Sequence, residues 1–179
     1  MLSEKEKLKR FLEYRCQLID DLNEEKISRD DFNYKNILFI KSLELRPFSI
    51  IKNYEQGIFN YQYFNVLAKE ALTNAEMSRR NKIIKKEKYF LNLKDNYYSK
   101  KDQATLALVK LSKFNDIEAY YINTNSNSLN GKLFEIHFKN KEKCILHSKN
   151  KIIKDLLIKN NIFKDEYRNS LIDQYVNNK

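Results

Sequence analysis

Residues 47–77 read P-F-S-I-I-K-N-Y-E-Q-G-I-F-N-Y-Q-Y-F-N-V-L-A-K-E-A-L-T-N-A-E-M. Ile50, Tyr54, Gly57, Tyr61, Phe64, Ala68, Ala71 and Ala75 recur at alternating spacings of four and three. Residues so spaced share one helical face, so the stretch predicts a long helix with an apolar seam. Phe59, Tyr63, Val66 and Leu67 form a second apolar group on the other side. One stripe suffices for a surface helix, and two predict a helix buried between neighbours. Gly57 costs about 1 kcal/mol against alanine within a helix, which points to close approach of another backbone there.

Towards the N-terminus, Ser3 with Glu6 forms a capping box, a helix start in which side chains satisfy free N–H groups. Leu8, Phe11, Leu12, Cys16 (or Arg15), Ile19 and Leu22 follow on one face, giving a first helix over about 4–22. Ser28 with Asp31 starts a second over about 29–44, with Phe32, Ile37, Ile40 and Leu43 (or Leu45) inward. Pro47 ends it, because the residue before proline avoids helical geometry. Short links favour antiparallel neighbours.

Towards the C-terminus, the central helix either continues past Ser78 or breaks near Asn81. Ile83, Ile84, Phe90, Leu91, Tyr97, Tyr98, Ala104, Leu108 and Leu111 then keep a helical period. Ser99 with Asp102 offers a break, so one or two helices span 81–113. After Asn115 the period becomes two. Strands are expected at 117–122, 133–138 and 143–147. A polar loop at 123–131 ending in Asn-Gly joins the first two, and a tight turn at Asn140-Lys141 joins the last two. Ser148 caps a helix over about 149–159 that buries Ile152, Ile153, Leu156 and Leu157. A last short helix over about 166–177 presents Leu171, Ile172, Tyr175 and Val176. The expected fold is α+β. A mainly helical N-terminal two-thirds precedes a three-stranded antiparallel meander with one or two C-terminal helices. It forms a single domain, 1–179, with a helical lobe (1–114) and a small α+β lobe (115–179).

The formal net charge is +10, and all the excess lies beyond residue 75, where 22 basic groups meet 12 acidic ones. It helps solubility and favours polyanions without specificity. Lys, Asn, Ile, Tyr and Phe make up about half of the chain, residues written largely in A/T codons, which discounts the composition as a functional signal. Cys16 and Cys144 stand far apart with no CxxC pairing, as free thiols in a reducing cytosol do. The charged N-terminus lacks the apolar core of a secretory signal. No apolar run approaches the length of a membrane span. The expected setting is the cytoplasm, without a membrane partner.

The densest basic run is Arg79, Arg80, Lys82, Lys85, Lys86 and Lys88. On one helix, Arg79, Lys82, Lys85 and Lys86 would share a side and could neutralise phosphates. The blander reading is a solvated helix face. His137 and His147 lie on one expected hairpin, and a two-residue turn would set His137 opposite Cys144, sharing a face with Glu135. That would bring together a nucleophile and a base; a one-residue slip undoes it. Glu118 and Glu135 would face each other across two strands as a carboxylate dyad, depending on register. Glycine-rich phosphate loops, metal-ligand spacings and nucleophile elbows are missing from the sequence. No catalytic, metal or cofactor residue is assigned, and the reading leans away from an enzyme.

Three segments carry a resemblance: G-I-F-N-Y-Q-Y-F-N-V-L-A-K at 57–69, K-K-D-Q-A-T-L at 100–106, and G-K-L-F-E-I-H-F-K-N-K-E-K-C-I-L-H-S at 131–148. They resemble a small uncharacterised protein family of low-GC anaerobic Gram-positive bacteria. The resemblance implies a cytosolic bacterial protein and carries no activity. The leading expectation is a non-enzymatic interaction or structural protein, with a protein partner or a second copy of itself. The alternatives are nucleic-acid binding through Arg79, Lys82, Lys85 and Lys86 with the Lys-rich C-terminal lobe, and an enzyme of unknown class.

Overall fold

The computed structural model describes residues 1–123 and 132–172. Its elements in order are α1 (Glu4–Asn23), α2 (Arg29–Ser42), α3 (Tyr54–Arg80), α4 (Ile84–Leu111), β1 (Ile117–Ile122), β2 (Phe134–Phe138), β3 (Ile145–Ser148), α5 (Lys151–Lys159) and β4 (Phe163–Arg168). They group into two compact units, residues 1–11 with 33–107 and residues 12–32 with 108–179.

In the first unit, α3 is the central element. Gly57, Tyr61, Phe64, Ala68, Ala71 and Ala75 are buried along the expected seam, and Phe59 and Val66 are fully buried on the second stripe. The helix starts later than its seam suggests. Asn53 caps it by accepting from the Gln56 amide at 3.0 Å, and Ile50 lies outside it, exposed. Buried Asn60 holds the preceding segment by accepting from the Phe48 amide and donating to the Phe48 carbonyl, each at 2.8 Å. Phe11 and Phe48 meet the Phe59 ring edge-on. Antiparallel α4 returns along α3: Lys101 lies over the Tyr61 ring, and Tyr97 stacks on Phe64. The Ser99–Asp102 break is not used, and α4 runs through it.

The second unit is built on a four-stranded mixed sheet of order β3-β2-β1-β4. The expected meander accounts for β1, β2 and β3, which pair antiparallel. The fourth strand is a correction. Residues 163–168 pair parallel to β1 instead of opening a last helix. Half-buried Phe163 packs on Tyr121 and Phe134, and this non-local packing with the backbone pairing to β1 overrides the local helical spacing. The expected loop beyond Asn123 and the far end of that helix, with Tyr175 and Val176, lie outside the described residues.

Both faces of the sheet are covered. Leu18, Ile19, Leu22 and Phe32 join Ile145 and Ile172 in one core. On the opposite face, Lys154 of α5 reaches the Tyr121 hydroxyl. The Asn150 side chain, rather than Ser148, caps α5. The two outer strands are treated differently. Arg15, buried on α1, donates to the Lys143 and Ile145 carbonyls at 2.7 and 3.3 Å and so caps the β3 edge. Arg15 therefore points inward, while Cys16 stays half-buried. The β4 edge carries Lys164, Asp165 and Glu166 and a register shift opposite Tyr120/Tyr121, features that discourage edge-to-edge pairing.

Candidate functional site

Two polar clusters occupy the sheet face that carries Glu118, Tyr120, Glu135, His137 and His147. The hairpin register created the larger one. A loop longer than the expected Asn140-Lys141 turn, with Lys143 at φ 48°, closes the β2–β3 hairpin; an Asn-Lys pair has no glycine to adopt the positive φ of a two-residue turn. His137 therefore pairs with Ile145, and Glu135 with His147. Cys144 falls on the opposite face from His137, so the expected Cys–His pair does not form. Burial pushes the Cys144 thiol up to about 12, which leaves it protonated and unreactive.

Glu135, fully buried, is the hub. Its carboxylate accepts from the Tyr120 hydroxyl and the Ser170 hydroxyl, each at 2.6 Å, and from His147 Nε2 at 2.8 Å. The Leu171 amide approaches both oxygens at 3.2 Å. Burial alone would raise its pKa. The His147 hydrogen bond and charge, with Ser170 and Tyr120, outweigh burial and hold the carboxyl below the usual range. Burial, together with the hydrogen bond to and charge of Glu135, pushes the Tyr120 phenol up.

Ser170, His147 and Glu135 have the residue types of a hydrolase triad but not its wiring. Ser170 Oγ lies 3.3 Å from the same Nε2 that faces Glu135. An ionised carboxylate only accepts, so that nitrogen carries a proton and cannot take one from serine. The cluster clasps residues 170–172 to the sheet. Glu118 is engaged separately, with His137 Nδ1 at 3.4 Å, Lys164 at 3.5 Å and Arg168 at 3.6 Å. Burial pushes its carboxyl up, and these neighbours bring it below the usual range. Glu118 and Glu135 thus have different partners and form no catalytic dyad.

The basic run lies in the first unit, at the α3–α4 connection. It is not one helical stripe, because the chain turns in the middle of it. The Ile83 amide bonds the Ser78 carbonyl at 2.9 Å, and the Lys82 amide bonds Arg79 at 3.0 Å. Lys82 has φ 56°. This is a Schellman C-cap with lysine at the position glycine prefers. Arg79 therefore ends α3, Lys82 lies in the turn, and Lys85 and Lys86 open α4. Arg79 pairs with Glu87 at 2.6 Å, which pushes its pKa further up. The side chains of Arg80, Lys82, Lys85, Lys86 and Lys88 have no acidic partner among the described residues.

Around the turn lies exposed apolar surface. Ile84 and Ile83, which the sequence pattern assigned to a continuing seam, are 76% and 41% exposed, and Tyr89 and Met77 beside them 61% and 55%. From residue 84 to residue 100 no side chain is buried. A groove of about 450 Å³ opens here, lined by Met77, Ile83, Tyr89 and Phe90 together with Lys85 and Lys86. Two of the four expected site residues, Lys85 and Lys86, thus line one cavity; Arg79 and Lys82 do not.

Sequence reasoning missed the apolar half of this site. Lys85 and Lys86 stand in the first turn of α4, where the helix dipole favours acidic groups.

One family model spans the whole sequence, residues 1–179. The chain belongs to a family of unknown function, DUF6648. No curated protein and no solved structure matches this DUF6648 member. No helix among its described residues is long and apolar enough to cross a membrane.

Proposed function

We propose that this DUF6648 protein is a non-enzymatic interaction protein that docks a partner protein through the α3–α4 arm. The observation that carries the reading is the exposed group Met77, Ile83, Ile84 and Tyr89 at the end of α3, in the turn and at the start of α4, where no side chain from 84 to 100 is buried. Contiguous apolar surface rimmed by polar groups marks interaction sites in soluble proteins. The cellular setting we assign is the cytosol of a low-GC Gram-positive bacterium. The resemblance at 57–69 and 131–148 and the two unpaired cysteines support that setting.

The test is co-purification from the native host with the tagged full chain and with a Met77→Ser, Ile84→Ser, Tyr89→Ser variant. The exposed positions allow the variant to keep its fold, which circular dichroism checks. A stoichiometric protein retained by the first bait and lost from the second is the expected result. An identical set on both baits rejects the reading.

A second reading, nucleic-acid binding, draws on the five cations without acidic partners at the turn. Phosphate contacts make such binding steeply salt-dependent. Anisotropy with labelled oligonucleotides separates the two readings. Binding that survives physiological salt and is lost on changing Lys82, Lys85 and Lys86 to Glu favours nucleic acid.

A further inference from the structure

The α3–α4 groove has a composition that selects its occupant. Its walls are apolar at Met77, Ile83, Tyr89 and Phe90. Residues 76–88 hold six basic and two acidic groups. One of the acids, Glu87, is already engaged by Arg79. Two such tips brought together would set like charges against each other, which costs several kcal/mol in a close interface, so a symmetric tip-to-tip dimer is disfavoured. A groove that is concave and apolar suits inserted side chains rather than a regular polyanion, whose phosphates need no pocket. An amphipathic helix laying apolar anchors into a groove is a recurring mode of peptide recognition. An acidic opposite face would meet the cations and also offset the misplaced Lys85 and Lys86 at the α4 N-terminus.

We infer that the groove takes an acidic amphipathic helix of a partner protein, with apolar anchors between Met77 and Tyr89 and carboxylates on Lys85 and Lys86. This inference rests on the docking reading above and adds the chemical class of the partner. The steering charge acts mainly on association and is screened beyond about 8 Å at physiological salt.

The experiment uses the full chain, ¹⁵N-labelled, and two designed amphipathic peptides about 15 residues long, near the lower limit for an isolated helix. Their apolar residues are identical; one carries Glu on its polar face and the other Lys. A single-stranded oligonucleotide is the third probe. The expected result is that the Glu peptide shifts the amide signals of Met77, Ile83 and Tyr89 and binds about tenfold or more tighter than the Lys peptide. The Lys85→Glu, Lys86→Glu variant reverses that preference, while the milder Lys85→Gln, Lys86→Gln variant abolishes it and guards against a folding defect.

Equal affinity for both peptides overturns the acidic class and leaves the docking reading standing. Tighter binding of the oligonucleotide at the same residues in physiological salt overturns it in favour of nucleic acid. If neither peptide binds, the inference falls. The co-purification of the serine variant then decides separately whether the docking reading falls with it.

Discussion

Every residue of β1, β2 and β3 is buried except Glu118 and His137, and those two pair with each other. Along residues 84–100 of α4, nothing is buried. The strands owe their order to partners within their own unit: α1 and Phe32 on one face, Phe163 and α5 on the other. The arm has α3 as its helical neighbour, with Phe64–Tyr97 stacked and Arg79 paired to Glu87. Sequence in the sheet is therefore spent on internal complementarity. Sequence in the arm leaves apolar area and like charge unpaired, and both carry a stability cost that binding would offset.

The contrast is broken most severely at Glu135. Glu135→Ala removes the acceptor for Tyr120, Ser170, His147 and the Leu171 amide, and the unpaired buried donors should cost about 3–5 kcal/mol in urea unfolding. Its folded pKa is depressed below the unfolded value of about 4.3. Its contribution is therefore present above that value and fades as pH falls through the folded pKa. Glu135→Gln should flatten the acid side of the stability profile.

A paired substitution measures the contrast directly. Ile136→Ala, at a fully buried site, should cost about 2–5 kcal/mol. Ile84→Ala, at a site 76% exposed, should stay within about 0.5 kcal/mol. Similar costs at the two sites would show that the arm is packed in the isolated protein. Arg15→Met keeps the side-chain length but leaves the β3 carbonyls uncapped, with a loss of about 2 kcal/mol by the same measurement. Lys82→Gly should act in the opposite direction. Relieving a lysine at φ 56° should stabilise the chain by about 0.5–1 kcal/mol. A loss there would mean that the lysine side chain is engaged within the fold.

Local periodicity made much of the fold legible. α1, α2, α3 and α5 and strands β1 to β3 lie within a few residues of their expected places, because caps such as Ser3–Glu6 and the change of period after Asn115 act over short range. The candidate site was half legible. Its cations were visible as a run, but Ile83 and Ile84 read as core, since periodicity identifies a face and not what covers it. The Glu135 clasp was hidden for two reasons. Ser170 stands 35 residues from Glu135, and the Glu135–His147 pairing depended on one residue of hairpin register.

The sequence by itself determined the α+β class, the membership of residues 1–179 in a family of unknown function, and the concentration of positive charge after residue 75. The class and the charge distribution follow from spacing, capping and composition, and the membership from similarity along the whole sequence; none of these needs a distant partner. Only the tertiary structure decided that residues 163–168 form a parallel fourth strand, that Arg15 rather than Cys16 turns inward, and that the turn at Lys82 gathers Met77, Ile83, Lys85, Lys86 and Tyr89 around one groove. Each depends on which remote surface a segment buries, a competition among non-local contacts that local spacing does not encode.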